Sequence, residues 1–162
     1  MRPTILTSAC LLGAPVRYDG QSKPLGDERL ERWRANGQLI STCPECLGGL
    51  PTPRPAAQVE RVDTQGVLSG GARVLTCDGV DVTEAFVLGA QRALARAREH
   101  GCRVALLKQR SPSCGSTHIY DASGAMVPGV GVTTLVLRQA GIEVFGEDQL
   151  DELERWLERN AP

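Results

Sequence analysis

Apolar residues follow two patterns along this chain: short runs that predict strands, and repeats of three and four residues that predict helices. The run at 104–107 is apolar without alternation, which is typical of a parallel strand buried on both faces. The predicted strands are 3–9, 38–43, 102–109 and 142–146. The predicted helices between and after them are 25–37, 81–101, 130–141 and 147–160.

The helix over 81–101 has the most regular pattern. Asp81 and Glu84 predict a capping box at its start, and Gly101 predicts its end. Its apolar face consists of Phe86, Ala90, Ala93, Leu94 and Ala97. The segment 47–56 is rich in Gly and Pro and is predicted to be irregular, whereas 66–83 predicts short extended pieces joined by turns.

The alternation of strands and helices predicts the fold class. It indicates α/β, a three-layer, Rossmann-like domain with a mainly parallel sheet. The length of 162 residues suits a single domain spanning 1–162 with one core. Right-handed crossovers place the loops that follow the strands at one edge of the sheet, where such folds bind ligands.

Charge and hydropathy narrow the possible partners. The formal net charge is −1, so the chain lacks the basic surface expected of a protein that binds extended nucleic acid. No run approaches the roughly 18 apolar residues of a membrane span. The N-terminal apolar run is interrupted at Thr7, Ser8 and Gly13, which favours a strand over a signal peptide and predicts a cytoplasmic protein. The charge balance leaves a small molecule as the predicted ligand.

Cysteine positions give the clearest indication of chemistry. Cys10, Cys43 and Cys114 each follow a predicted strand, at the expected ligand-binding edge, and have Ser, Pro or Gly nearby. Cys77 and Cys102 are predicted elsewhere, as small apolar residues of the fold. Without an export signal, free thiols or metal ligands are favoured over disulfides.

Three converging thiolates suit a soft metal centre with one open position, either zinc or an iron–sulfur cluster. Two alternatives use Cys46 of the "CPEC" segment: a closed four-cysteine site, or a dithiol redox pair. The redox pair is disfavoured because "LGGLPTPRP" is predicted not to form the helix that normally follows such a pair.

Polar side chains beside these cysteines each have a functional and a structural interpretation. Glu45 lies between candidate ligands and is either a general acid or base, or a solvated loop residue. Ser111 and Ser113 are substrate contacts or turn residues. Lys108, Arg17 and Arg54 also have two interpretations. Each either contacts a charged ligand or has a structural or solvent-facing position.

Several motifs, in order, resemble the bacterial thiouracil desulfidase family over residues 4–146. They are "SACLLG", "RYDG", "CPECLGGLPTPRP", "GVDVTEAFVLGA", "LLKQRSPSCGSTHIYD" and "GVGVTTLVLRQAGI". The resemblance implies an oxygen-sensitive [4Fe–4S] cluster held by Cys10, Cys43 and Cys114. It also implies non-redox removal of sulfur from thiouracil to give uracil and hydrogen sulfide, the thione sulfur binding the open iron.

In that reaction Glu45 is predicted to move protons, Ser113 with Ser111 to hold the pyrimidine or its sulfur, and Lys108 to contact substrate. Two alternatives remain at this point: a sulfur-transfer enzyme that uses the same cluster, and a non-catalytic zinc-binding module. Cys46 departs from the family pattern and is a possible competing ligand. The sequence leaves open the 2- or 4-thio preference, the choice among base, nucleoside and nucleotide, and the oligomeric state.

Overall fold

The computed structural model describes residues 2–161 and is built on a parallel sheet. Within those residues there are eight strands and six α-helices. The strands are β1 (Ile5–Ser8), β2 (Leu39–Thr42), β3 (Ala57–Val59), β4 (Val74–Thr76), β5 (Val104–Leu107), β6 (His118–Tyr120), β7 (Met126–Pro128) and β8 (Glu143–Gly146). The helices are α1 (Glu28–Ala35), α2 (Pro44–Leu47), α3 (Thr64–Ser69), α4 (Thr83–Glu99), α5 (Val132–Gln139) and α6 (Leu150–Arg159).

The main sheet has the strand order β2-β1-β5-β8, with every neighbouring pair parallel. Leu6 of β1 pairs with Ile40 on one side and Ala105 on the other. The chain leaves β1 toward β2 and later continues through β5 on the opposite side. This reversal creates a crevice at the carboxyl ends of β1 and β5, the usual ligand site of such sheets.

Helices cover both faces of the sheet, which gives the predicted three-layer α/β architecture. On one face, Leu30 and Trp33 of α1 share a buried cluster with Ile5 and with Leu153 of α6. On the other face, residues of α4 and α5 form a second cluster with the sheet: Leu6, Ala97, Ala105, Leu107 and Leu137. The four predicted strands of the main sheet therefore occur, each shorter than predicted. No helix among the described residues has the length and apolar character needed to cross a membrane.

Two antiparallel hairpins, β3–β4 and β6–β7, lie outside the main sheet. The β6–β7 hairpin was not predicted. The prediction of extended structure over 66–83 was wrong at its start, because 64–69 forms helix α3. Asp63 caps this helix by accepting a hydrogen bond from the Gly66 N–H (2.9 Å), so its first turn is stabilised despite the glycines.

One further local prediction was wrong, and another was right only in part. Helix α4 begins at Thr83, and Asp81 accepts the Thr83 N–H (2.9 Å) in place of the predicted capping box with Glu84. Residues 48–55 form no helix, as predicted, but Pro44–Leu47 before them form the single turn α2, so Cys43 does lie at a helix N-terminus. Pro44, which has no N–H, suits the first position of a helix because an N–H there would have no partner within the helix, and Gly48 ends the turn.

Candidate functional site

A cavity of about 460 Å³ opens at the carboxyl edge of the sheet, at the crevice between β1 and β5. The loops after three strands meet there. Cys10, Cys43 and Cys114 all line this cavity. The structure therefore brings together the three cysteines that the strand positions had singled out, and Glu45, Ser111, Ser113 and Lys108 line the same space.

Cys10 and Cys43 are placed directly by the ends of their strands. Cys10 lies in a single 3-10 turn, 9–12, immediately after β1, and its carbonyl accepts the Lys23 N–H (3.0 Å). Cys43 follows β2 and is the N-cap residue of α2. Its thiol lies 3.9 Å from the Val16 carbonyl oxygen, which brings the 14–18 loop to the same side of the cavity.

Cys114 sits in a loop that is tied to the start of α5. The N–H of Val132 donates to the Pro112 carbonyl (2.9 Å), and the N–H of Thr133 donates to the Ser113 carbonyl (2.7 Å). The Thr134 hydroxyl donates to the Cys114 carbonyl (2.8 Å). These bonds fix the backbone on both sides of the thiol, which is itself buried.

Burial keeps all three thiols protonated when no cation is bound. Desolvation raises the pKa of Cys10, against the opposing charges of Lys108 and Arg17. It raises the pKa of Cys43 to about 12. Desolvation also raises the pKa of Cys114, and negative charge on Glu45, or on Cys43 or Cys10 once either is deprotonated, raises it further. The thiols are thus close enough to influence one another, and a bound cation must displace their protons.

The donor set fits an iron–sulfur cluster. Among residues 2–161, no three His, Cys, Asp or Glu side chains lie close enough to hold a single metal ion. A lone tetrahedral zinc needs its sulfur ligands roughly 3.8 Å apart, whereas cluster ligands bind different irons and stand further apart. Three soft thiols on one cavity match the cluster. Cys46 is not among the residues that line the cavity, so the closed four-cysteine site is not the arrangement observed.

Glu45 and Ser113 join two of these cysteine loops. The Ser113 hydroxyl donates to Glu45 Oε2 (3.2 Å) and lies 3.3 Å from the Cys114 sulfur. It also lies 3.0 Å from the Ser111 hydroxyl, whose oxygen accepts the Cys114 N–H (3.2 Å). A continuous hydrogen-bonded path therefore runs from the carboxylate to the Cys114 thiol. Such a path suits movement of a proton across the cavity.

Arg54 holds the Glu45 carboxylate from the other side, a role that sequence reasoning missed. Arg54 lines the cavity, and its side chain is only 4% exposed, so it is a buried residue of the cavity wall and not a solvent-facing one. Its Nε donates to Glu45 Oε1 (3.1 Å), and the other nitrogens donate to the Pro51 and Val16 carbonyls and to the Thr52 hydroxyl. Burial acts to lower the Arg54 pKa, but the charge of Glu45, its hydrogen bond to Arg54 and the nearby Cys43 and Cys46 groups together outweigh it, and the pKa is raised.

Lys108 forms the opposite wall with a partner that the sequence did not indicate. Its Nζ lies 2.9 Å from Glu147 Oε2 and donates to the Gln109 carbonyl (2.9 Å). Glu147 also accepts the Gln109 N–H (2.6 Å), so the loop after β8 is joined to the loop after β5. The Lys108 charge is therefore largely neutralised within the wall. Arg17 lines the cavity and lies 3.9 Å from Asp19.

Fold and site together define an α/β protein with a three-thiol centre at the switch point of a parallel sheet. A family model described as 2-thiouracil desulfurase matches residues 5–149, nearly the whole chain. The chain belongs to the 2-thiouracil desulfurase family, which confirms the family predicted from the motifs.

Two similar proteins extend this comparison. The uncharacterized protein YbbK of Bacillus subtilis (strain 168) is 39% identical over 151 residues, covering 92% of this chain and 99% of YbbK. A solved structure of the [4Fe-4S]-dependent thiouracil desulfidase TudS is 46% identical, with a TM-score of 0.89. That match covers 97% of this chain and 99% of the TudS chain.

Proposed function

We propose that this protein is an enzyme that removes sulfur from thiouracil or a related thiolated pyrimidine, giving uracil and hydrogen sulfide. The proposed cofactor is a [4Fe–4S] cluster held by Cys10, Cys43 and Cys114. The observation that carries the proposal is the meeting of these three thiols with Glu45 and Ser113 around one cavity. Family membership and the likeness to TudS support the same chemistry.

The three protein ligands leave one iron without a protein ligand. When bound, the cluster supplies this open iron as a soft Lewis acid that attracts a thione sulfur and polarises its C=S bond. The exchange of sulfur for oxygen uses one water molecule per substrate and leaves the electron count unchanged. The reaction proposed for the chain is therefore a hydrolysis of the C=S bond.

Glu45 is the proposed proton carrier. Its Oε1 is held by Arg54 and its Oε2 accepts from Ser113, so the carboxylate has a fixed orientation at the cavity wall. From there it takes a proton from the attacking water and returns one to the departing sulfur. A carboxylate placed in this way contributes about 10²–10⁴-fold to a rate.

Ser113 and Ser111 are the proposed substrate-holding residues, with Lys108 on the facing wall. Both hydroxyls hydrogen-bond each other and lie beside Cys114, where a sulfur-bearing ring would sit. Hydroxyl groups can donate and accept, which suits the carbonyl and N–H edge of a pyrimidine. We place this reaction in the cytoplasm, and within one functional domain spanning the chain.

The test is turnover by cluster-loaded protein prepared without oxygen. With 2-thiouracil in ¹⁸O-labelled water, the proposal predicts equal amounts of uracil and sulfide, the label in the uracil, and no product from cluster-free protein. A fully loaded protein that releases neither product from 2-thiouracil keeps the cluster site and reopens the choice of substrate, whereas one that is also inactive on 4-thiouracil contradicts the desulfidase proposal. Sulfur passed to an acceptor without free sulfide indicates the sulfur-transfer alternative.

A further inference from the structure

Cys43 is the N-cap residue of the single turn α2, and Cys46 is the third residue of that turn. The Leu47 N–H donates to the Cys43 carbonyl (2.9 Å), which closes the turn around both cysteines. The side chain of an N-cap residue turns toward the third residue of the helix that it caps, as in a capping box, so the turn brings the Cys43 and Cys46 groups together. Burial is the main cause that raises the pKa of Cys43, and the Cys46 thiol raises it further, in keeping with their places at the start of the same turn.

Cys46 is outside the lining of the cavity, on the side of α2 that faces Thr52. Its sulfur lies 3.6 Å from the Thr52 hydroxyl in a solvent-exposed contact. Cys43 therefore lines the cavity and also caps the turn that carries Cys46, whose thiol is outside the cavity lining. This spacing and the partial exposure are those of C-x-x-C pairs that form disulfides.

We propose that Cys43 and Cys46 form an oxidation site, at which a peroxide closes a Cys43–Cys46 disulfide whenever Cys43 is free of the cluster. The disulfide removes one of three cluster ligands reversibly, so the chain survives oxidative loss of the cluster and is able to bind a new one after reduction. Only the assignment of Cys43 as a cluster ligand is taken from the proposed function.

The chemistry balances with hydrogen peroxide as the oxidant. The Cys46 sulfur, whose contact with Thr52 is exposed to solvent, attacks one peroxide oxygen, the O–O bond breaks, and a sulfenic acid and one water form. The Cys43 sulfur then attacks the Cys46 sulfur, the S–O bond breaks, and a second water leaves. Two thiols lose two electrons and two protons in total, and the peroxide accepts them.

Peptide mapping of the full chain tests this directly. Both cysteines lie in the tryptic peptide that begins after Arg34, so an internal disulfide leaves that peptide unalkylated and two hydrogen atoms lighter than its reduced form. Cluster-free protein is treated with hydrogen peroxide, alkylated with iodoacetamide and digested. Cys77, which is exposed and distant from other cysteines in sequence, serves as the internal control thiol.

We expect this peptide to lose both alkylation sites before Cys77 is oxidised and to regain them with dithiothreitol. In cluster-loaded protein the loss should begin only once iron has been released. In Cys46→Ser and Cys46→Val, peroxide should drive Cys43 to acids that dithiothreitol does not reverse, so iron uptake on reconstitution is lost after oxidation. Wild-type protein should recover its iron uptake. Pairing of Cys43 with Cys10 or Cys114, or equal recovery in the Cys46 variants, overturns the proposal, whatever the protein's activity on thiouracil.

Discussion

At the scale of single residues, the site depends on one carboxylate held between two partners. Glu45 Oε1 is 3.1 Å from Arg54 Nε, and Oε2 is 3.2 Å from the Ser113 hydroxyl. Ser113 in turn reaches the Cys114 sulfur. These hydrogen bonds fix the position of Glu45, the proposed proton carrier, relative to Cys114, a proposed cluster ligand. Substitutions here should therefore separate catalysis from cluster binding.

Glu45→Gln should keep the cluster and lose most of the rate. The amide preserves the shape of the side chain but is unable to take up the proton that the reaction moves. We expect kcat to fall about 10²–10⁴-fold. Iron content and thiouracil turnover measured on the same preparation check this. The matched control is Glu143→Gln, at the opposite edge of the sheet, which should leave both unchanged, and wild-type turnover in Glu45→Gln removes Glu45 from the mechanism.

Arg54→Gln should act through Glu45. Breaking a buried pair leaves a buried charge uncompensated, at a cost of about 3–5 kcal/mol in the free energy of unfolding. If Arg54 positions Glu45, then adding Arg54→Gln to Glu45→Gln should lower kcat little further, since interacting residues are not additive.

Two variants complete that test. Arg54→Lys keeps the charge without the planar fork and should recover part of kcat. Arg73→Gln breaks the exposed ion pair with Glu60 and should change neither stability nor rate appreciably. Fully additive losses of kcat in the double variant argue that Arg54 supports the fold only.

The three thiols of the site were predictable from the sequence, but the position of Arg54 beside Glu45 was not. Cys10, Cys43 and Cys114 follow strands of a parallel sheet, and topology alone sends the ends of such strands to one edge. The bond from Arg54 to Glu45 crosses an irregular loop, 48–53, whose path no periodicity specifies. The burial of Arg54 is equally invisible, since an arginine between two prolines is compatible with a solvent-facing loop.

At the scale of elements, close backbone contacts with helices α4 and α5 position the loops that carry the candidate cluster ligands. A Cβ on Gly89 of α4 would overlap the Pro44 carbonyl, so a glycine is required for α2 to lie against α4. A Cβ on Gly131 would overlap the backbone of Ser113 and Cys114. Helices α4 and α5 therefore pack directly against the backbone next to Cys43 and Cys114.

Gly89→Ala should displace α2 and with it Cys43 and Glu45. Overpacking of this kind costs about 1–3 kcal/mol, and the displaced loop should bind less iron. Thermal unfolding and iron content after reconstitution measure both effects. Gly26→Ala is the matched control, because Gly26 has open space and no positive φ. Equal iron content in the two variants contradicts a positioning role for the α2–α4 contact.

The elements predicted well were those with long apolar patterns. The strands of the main sheet and helices α1, α4, α5 and α6 all follow them. The failures were short elements whose stability comes from polar capping, such as α3 behind Asp63. The missed β6–β7 hairpin is of the same kind: its turn is organised by Asp121, which accepts the N–H groups of Ser123 (2.9 Å) and Ala125 (3.1 Å).

At the scale of the whole molecule, the cluster should tie together loops that are far apart in the chain. A ligand that binds only the folded state adds to its stability by mass action, about 2.7 kcal/mol at a hundredfold excess over Kd. For a chain of this size we expect cluster loading to raise Tm by roughly 5–10 °C. Anaerobic thermal unfolding before and after removal of iron measures this, and Cys114→Ala should show no difference between the two treatments.

The central claim is that three of the six cysteines hold the cluster, and the most direct measurement is iron per chain in six single Cys→Ala variants reconstituted without oxygen. The account predicts about four irons per chain for the wild type and for the variants at Cys46, Cys77 and Cys102. The variants at Cys10, Cys43 and Cys114 should lose both the cluster and thiouracil turnover. A Cys114→Ala protein with a full cluster and full turnover would contradict the account.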